Sequence, residues 1–536
     1  MHAQDWLTTA VFYQVYPQSF YDSNEDGIGD IPGIIEKLDY IASLGCNAIW
    51  LNPCFVSPFK DAGYDVADYR KVAPRYGQNT DLKRLFRQAR KKGIRVFLDF
   101  VAGHTSIEHP WFKQSCDSDR NKYTNRYIWT SHWLENTEEY NLKVVRGFGN
   151  REGSFVTNFF WAQPALNYGF AEPDPQKKWQ LPTNHPDIKA LQNDMIEILQ
   201  FWLSMGAAGF RVDMASSLVK GDSDKEKTIQ LWKAVRKELN KTFPDAVLIS
   251  EWCCPADAIK AGFDVDFILE WECPIDCIPF RQETGTNCIP TEGHSFFRKK
   301  GKGDISKFMR LFLDHYQKTA PHGYMAIYTG NHDVQRISLG RTQKEIELIF
   351  AFILTMPVIP FIYYGDEIGM RYLNLPSKEG GYLRTGSRTP MQWSVLRNAG
   401  FSKAKQNDLY LPIDPSGDHP TVEQQQLRRN SLLSRVRRLI QLRRESEALS
   451  LNSGFELLYC RPHKYPLIYR RHNGREQYLI AINPSVNPVS VEIDIPKNMN
   501  TKLLMLEVAN NASIKIAGPR LIFNMPGTSF CIARAE

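Results

Sequence analysis

The chain has 536 residues, 43% hydrophobic and 23% charged, with 66 Lys+Arg against 59 Asp+Glu for a net charge of +7. At roughly 100–200 residues per domain this length implies two to four domains around a large buried core. The mild charge, with no dense Lys/Arg run interleaved with aromatics, argues against nucleic acid, and 34 Gly, 31 Pro and a mean hydropathy of −0.39 exclude collagen, disorder and an integral membrane protein.

The first twenty residues run straight into strand-like sequence without the charged, apolar and small-residue blocks of a secretory signal, which predicts a cytoplasmic protein. Short apolar runs then alternate with amphipathic stretches. The strand candidates are Val11–Tyr16, Ala48–Leu51, Val96–Phe100, Gly209–Val212, Val247–Ser250, Phe263–Leu269, Met325–Tyr328 and Pro360–Tyr364. Between them, Ile34–Leu44, Asp81–Lys92, Asp187–Met205, Lys225–Asn240, Ile305–Thr319 and Thr342–Thr355 have helical periodicity. Eight strands alternating with helices predict an α/β fold, a (β/α)8 barrel. The most apolar run, Leu348–Tyr364, carries Thr355, Pro357 and Pro360 and reads as helix, break and buried strand, with no membrane span.

Two stretches interrupt the rhythm. Residues 104–174 are irregular and rich in Asn, Gly, Pro and aromatics, the signature of a subdomain inserted after the third strand; the barrel parts are then 1–103 and 175–445. A basic helix around Gln424–Arg443 is expected to present a solvated face, and residues 446–536 contain about six short alternating segments, which predict a C-terminal antiparallel β-sandwich. The ten cysteines include adjoining Cys253 and Cys254 and a Cys273/Cys277 pair four apart, neither with zinc-ribbon spacing; reduced, mostly buried thiols are expected.

Catalytic groups of a βα barrel sit at the C-terminal ends of its strands. Those ends carry Asp99 and His104 after strand three, Arg211 and Asp213 on strand four, Glu251 on strand five, and His332 and Asp333 after strand seven; the segment after strand two adds Asp61, Tyr64 and Asp68. Three carboxylates at one mouth (Asp213, Glu251 and Asp333) repel one another and cost stability. Such a cluster suits glycoside hydrolysis, in which one carboxylate attacks the anomeric carbon and another protonates the leaving oxygen.

The strings GYDVADY, QPALN, GFRVDMA, LISEW, TGNHD and FIYYGDEIG resemble, in order and spacing, the signature regions of the α-amylase superfamily, glycoside hydrolase family 13. The opening VFYQVYPQSF, the QPALN string and RTPMQW at 388–393 resemble its oligo-1,6-glucosidase and α-glucosidase branch. The resemblance implies Asp213 as nucleophile, Glu251 as general acid/base and Asp333 as the third carboxylate gripping sugar hydroxyls. It implies that Arg211, His104 and His332 bind the glucosyl unit, that Asp61 and Tyr64 close the subsite, and that Arg384 or Arg388 pairs with Asp61. Such a pocket predicts a retaining, exo-acting hydrolase of short α-glucosides, without an organic cofactor. A transferase or isomerase of sucrose isomerase or trehalose synthase type is the alternative on the same scaffold. A non-enzymatic transporter heavy chain fits poorly, since no membrane anchor is visible and all three carboxylates are present. The chain departs from the family at Gly103, Ala165 and Met214. The first replaces an Asn that ligates calcium in other amylases, which argues against calcium in the inserted subdomain. Oxygen-bearing residues at alternate positions in Asp22–Asp30 are like an EF-hand start. With the family's habit of binding calcium in this loop, they imply a structural Ca2+ held by Asp22, Asn24, Asp26, the Ile28 carbonyl and Asp30. The oligomeric state is not legible from the sequence.

Overall fold

A computed structural model describes residues 5–268, 280, 295–298, 303–320, 322–380, 384–499, 505–509 and 512–535. Cys273, Cys277 and the expected strand end at Leu269 lie outside them. Eight strands close the barrel: β1 (Phe12–Val15), β2 (Ala48–Leu51), β3 (Arg95–Val101), β4 (Gly209–Asp213), β5 (Val247–Ser250), β6 (Val265–Phe267), β7 (Tyr324–Tyr328) and β8 (Ile359–Tyr363). Every neighbouring pair is parallel, and β1 pairs with both β2 and β8.

The alternation of side chains along each strand explains how the barrel bears a polar site on an apolar plug. Phe12, Trp50, Phe97, Ile249, Phe267 and Phe361 pack together at the lower level, with Phe12 and Phe361 stacked at 4.3 Å between centroids. Two residues further along the strands the buried side chains are polar: Gln14, Asn52, Asp99 and Arg211. Gly209 is required by close approach, because a Cβ there would lie 2.0 Å from the Val247 carbonyl oxygen and 2.7 Å from the Phe97 ring.

The outer helices pack on the opposite faces of the strands, and most agree with the sequence pattern within a residue or two: Asn79–Lys91, Pro186–Met205, Glu226–Asn240, Ile305–Thr319 and Gln343–Thr355. Two expectations need correction. The Ile34–Leu44 stretch forms two helices, Ile31–Glu36 and Leu38–Leu44, broken at Lys37. The basic stretch also divides, into Val422–Gln426 and Leu432–Glu445, and its second part is not simply a solvated face. Leu432, Leu433, Val436, Leu439 and Ile440 are buried there, and the buried Arg443 donates to the carbonyls of Leu354, in the last turn of the Gln343–Thr355 helix, and of Met356 and Val358 beyond it. Those carbonyls have no partner within their own helix or strand, so the guanidinium replaces water at a buried helix end.

Between β3 and the Pro186–Met205 helix the chain forms a short helix, Pro110–Ser115, and a two-stranded ribbon, Val144–Arg146 with Ser154–Val156. Phe112, Tyr127, Trp129 and Phe155 form an aromatic cluster beneath it. Among the described residues the C-terminal region has eight strands where about six were expected: β9 (Gly454–Tyr459), β10 (Leu467–His472), β11 (Gln477–Asn483), β12 (Val489–Asp494), β13 (Met505–Ala509), β14 (Ser513–Ala517), β15 (Arg520–Met525) and β16 (Ser529–Ala535). They form a five-stranded sheet in the order β9-β10-β11-β16-β13 and a three-stranded sheet, β12-β15-β14, with Ile468, Leu479, Leu521, Phe523 and Cys531 between them. No helix among the described residues is long and apolar enough to cross a membrane.

Candidate active site

Arg211 organises the mouth of the barrel. Its Nη1 donates to Asp99 Oδ1 at 2.9 Å and Asp213 Oδ1 at 2.8 Å, and its Nη2 lies 2.8 Å from Glu251 Oε2. The three carboxyl groups come from β3, β4 and the end of β5, adjacent strands whose register sets Asp99 opposite Arg211 itself and brings Asp213 level with Glu251. Burial pushes the Asp213 carboxyl up to about 6, with Arg211 opposing and Asp99 adding to the rise. Burial likewise pushes Glu251 up to about 7, again against Arg211 and with Asp213 adding. One guanidinium cannot neutralise three carboxylates, so the cluster retains a proton most readily, and Glu251 has the higher pKa. A hydrogen bond between Glu251 and Asp213 holds the latter down, which favours an ionised Asp213 beside a protonated Glu251.

Asp333 is the opposite case. Burial alone would raise its pKa, but Arg384, His332 and Arg388 hold it well below the usual carboxylate range. Arg384 Nη1 lies 2.5 Å and Arg388 Nη2 3.0 Å from its Oδ1, while His332 Nε2 faces Oδ2 at 3.1 Å. The His332 ring is stacked on Tyr64 at 5.0 Å and 9°. Its Nδ1 receives the amides of Gln14 at 3.2 Å and Asn52 at 3.1 Å, so the ring proton sits on Nε2, towards Asp333.

The pocket above these groups encloses about 330 Å³, within the range of small-molecule sites. Asp61, Tyr64, His104, Phe159, Asp213, Met214, Glu251, Trp252, Cys253, Asp333 and Arg384 are among its lining residues. Arg384 closes the far side by pairing with Asp61 as well as Asp333, and Gln163 Nε2 donates to the other Asp61 oxygen at 2.8 Å. Met214, immediately after Asp213, has a left-handed backbone (φ 44°), and its N–H donates to Glu251 Oε2 at 3.0 Å. That turn, unusual for a side-chain-bearing residue, ties the residue after Asp213 to Glu251.

The structure brings Asp61, Tyr64, His104, Asp213, Glu251, Asp333 and Arg384 to one cavity. It selects Arg384 as the partner of Asp61. Arg388 stands behind Asp333, its Nε on the His332 carbonyl at 2.7 Å and its Nη1 3.3 Å from Glu379. Arg211 and His332 hold the carboxylates from beneath. Asp68 is a correction: it is exposed, in a ribbon with Phe55–Val56, and its side chain accepts from the Arg70 N–H. Gln14, Asn52 and Gln163 were missed as site residues. The first two stand inward on β1 and just after β2, a place the alternation of those strands marks, whereas Gln163 was visible only within the QPALN string.

The Asp22–Asp30 loop is built from successive side chain-to-backbone turns. Asp22, Asn24 and Asp26 each accept the N–H two residues on, at 3.2, 3.1 and 2.8 Å, so alternate residues turn to one side. Gly27 (φ 88°) presses against the Asp408 carbonyl, where a Cβ would lie 2.2 Å away. Asp30 caps the Ile31–Glu36 helix through Gly33 N at 2.6 Å and also accepts from Ser23. The Asp22 oxygens also accept from Glu25 N, Gly27 N and Ser402 Oγ, and among the described residues no group of three or more His, Cys, Asp or Glu is arranged to hold a metal ion.

Residues 14–452 match the family model described as α-amylase, catalytic domain. The chain is 28% identical to the glucan 1,6-alpha-glucosidase of Streptococcus pneumoniae, over 99% of both chains. It is 29% identical to the oligo-1,6-glucosidase of Heyndrickxia coagulans (94% of this chain, 95% of that one) and 32% identical to the trehalose synthase/amylase TreS of Mycolicibacterium smegmatis (88% and 82%). In fold it matches the trehalulose synthase MutB of Pseudomonas mesoacidophila with a TM-score of 0.82 over both whole chains, at 24% identity. The chain belongs to the α-amylase family, glycoside hydrolase family 13, and is an enzyme acting on glycosidic bonds.

Proposed function

We propose that the protein is a retaining, exo-acting α-glucosidase that removes single glucosyl units from the non-reducing end of short α-glucosides. The observation that carries this reading is the Asp61–Arg384–Asp333 bridge, which walls off the side of the pocket away from the Glu251–Trp252–Cys253 edge. A sugar seated against that wall has no room for a further unit beyond it. Asp213 attacks the anomeric carbon while Glu251 gives its proton to the departing glycosidic oxygen. Arg211 keeps Asp213 ionised, and the low pKa of Asp333 keeps an acceptor for sugar hydroxyls. Glu251 then takes a proton from water, whose oxygen displaces Asp213 and releases glucose with its α-configuration. A cytoplasmic site of action suits the buried Cys46, Cys54 and Cys531, whose thiols stay reduced there.

Glucosyl transfer within the pocket is the second reading, favoured by the 32% identity to a protein named trehalose synthase/amylase. Product analysis with maltose, isomaltose, isomaltotriose, panose, sucrose, trehalose and starch separates the two. The hydrolase reading expects free glucose from the short substrates and little from starch. Conversion of maltose to trehalose, or of sucrose to an isomer, with little free glucose supports transfer instead.

A further inference from the structure

We propose that Asn158, in the inserted subdomain, is a positioning residue that fixes the ring of His104 in the sugar pocket, and that Gly103 is a glycine because Asn158 needs its space. The proposal rests on the α-glucosidase reading for its assay alone; its geometry is independent of linkage or product.

Three segments meet at this point. Gly103 and His104 follow β3, Asn158 follows the Ser154–Val156 strand of the inserted ribbon, and Ser217 and Lys220 lie beyond β4. Asn158 Nδ2 lies 3.1 Å from His104 Nδ1, and His104 Nε2 lies 3.2 Å from the Tyr64 carbonyl oxygen. A carbonyl can only accept, so the ring proton is on Nε2 and Nδ1 accepts from the amide. The orientation of the Asn158 amide is set in turn by Lys220, whose ammonium donates to Asn158 Oδ1 at 3.3 Å and to the Ser217 carbonyl at 2.8 Å. With its oxygen committed to an ammonium, the amide presents only its NH2 to the imidazole.

A Cβ at position 103 would stand 2.5 Å from Asn158 Nδ2 and 3.4 Å from its Cγ. Gly103 has no positive φ to explain it, so the reason is steric: any side chain there evicts the amide from His104. The two positions, 55 residues apart, therefore act as one device. The charged groups acting on His104 are Asp61, after β2, and Lys220, after β4; burial outweighs Asp61 and keeps the ring neutral. A neutral ring of fixed tautomer, held by its edge, presents one constant face to the glucosyl unit.

The test uses the full-length enzyme and the variants Asn158→Ala, Asn158→Asp, Gly103→Ala and the double Gly103→Ala/Asn158→Ala. Asn158→Asp keeps the volume and the Lys220 contact but cannot donate to Nδ1. Both Asn158 variants are expected to lose about tenfold in kcat/KM on the best short substrate, and the double variant no more than either alanine single, because both singles break the same contact. In protein labelled with 15N-histidine, the His104 signal assigned by comparison with His104→Gln should gain an Nδ1–H signature in Asn158→Asp, because a carboxylate there only accepts while the Tyr64 carbonyl keeps the proton on Nε2. Should Gly103→Ala fail to fold, the two Asn158 variants and the NMR signal still decide. An Asn158→Asp enzyme with wild-type kcat/KM and an unchanged His104 signal overturns the proposal, as does a double variant whose loss is the product of the two singles. Failure of the α-glucosidase reading would be seen separately, as a wild-type enzyme that releases no glucose from any substrate.

Discussion

Arg384 and Asp61, 323 residues apart in the chain, form a buried ion pair that closes the inner wall of the pocket. Removing one partner of such a pair strands the other charge out of water, at a cost of about 3–5 kcal/mol. Arg384→Ala strands Asp61 and leaves Asp333 to Arg388 and His332 alone, and should be the more damaging change. We expect Asp61→Ala to lower kcat/KM by about 100-fold or more, with kcat and KM both affected, since contacts remote from the scissile bond help to position it. The wild-type enzyme should leave the viscosity of soluble starch almost unchanged. Rapid loss of viscosity would show internal cleavage and contradict the wall.

On the proposed mechanism Asp213 and Glu251, two of the three carboxyl groups on Arg211, have roles that neither can fill for the other. Asp213→Asn should abolish turnover, and Glu251→Gln should lower it by about 10²–10⁴-fold, the range for a lost general acid. Circular dichroism should be unchanged in both, because Asn and Gln keep volume and hydrogen-bonding capacity. Retention requires the carboxyl groups to sit about 5–5.5 Å apart in the reacting complex. NMR of the first product should then show α-glucose; β-glucose would mean inversion.

The same pair dictates a narrow pH profile. Activity needs Asp213 ionised, so it rises with pH through about 6, and it needs Glu251 protonated, so it falls through about 7. These are the two apparent constants of a coupled pair, and the maximum lies between them. In a kcat/KM profile from pH 4 to 9, a plateau extending past pH 8 would contradict the assignment of Glu251 as acid.

Stability should depend on pH through groups outside the pocket. Burial raises Asp266 to about 8 and Glu367 to about 7, so the folded protein binds protons there that the unfolded chain has lost near pH 4. Stability is then fully present below pH 4 and declines as pH rises towards 7 and 8. Asp266 Oδ1 accepts from Ser250 Oγ at 2.6 Å and Trp252 N at 3.0 Å, bonds that an amide oxygen can also accept. Asp266→Asn should therefore flatten the decline and raise Tm above pH 8, as read by thermal melts at pH 5 and 9. A larger gain at pH 5 than at pH 9 would reverse the expected sign.

Calcium is expected in the Asp22–Asp30 loop. A ligand bound only by the folded state adds about 2.7 kcal/mol at a hundredfold excess over its Kd. Calcium should raise Tm and EDTA lower it, with activity following stability, and Asp22→Ala should remove the response. Magnesium should substitute poorly, because it demands stricter octahedral geometry. If calcium shifts the Tm of neither protein, the alternate acceptors serve only the loop's own N–H groups.

The barrel and the carboxylate cluster were legible in the sequence because both have local signatures. Runs such as VFLDF and VLIS are apolar but for Asp99 and Ser250, as a strand buried on both faces requires, and Asp213, Glu251 and Asp333 stand at or just beyond strand ends that such runs mark. The broken helices at Lys37 and between Gln426 and Leu432, and the burial of Arg443, were not visible, because periodicity does not show where a neighbouring element leaves carbonyls unpartnered. Nor could spacing choose between Arg384 and Arg388. Four residues apart on a turn, they have the same side chain and opposite duties: one bridges Asp61 and Asp333 at the cavity, and the other braces Asp333 from behind through His332 and Glu379. Gly103 shows the same limit. Its lack of a side chain reads as a gap in a motif until Asn158, from another part of the chain, is found in the space. The sequence by itself determined which residue types stand at the mouth of the barrel. Which of them face the sugar, and which hold those that do, only the closure of distant segments upon one another decided, since side-chain contact depends on distances that spacing along the chain does not encode.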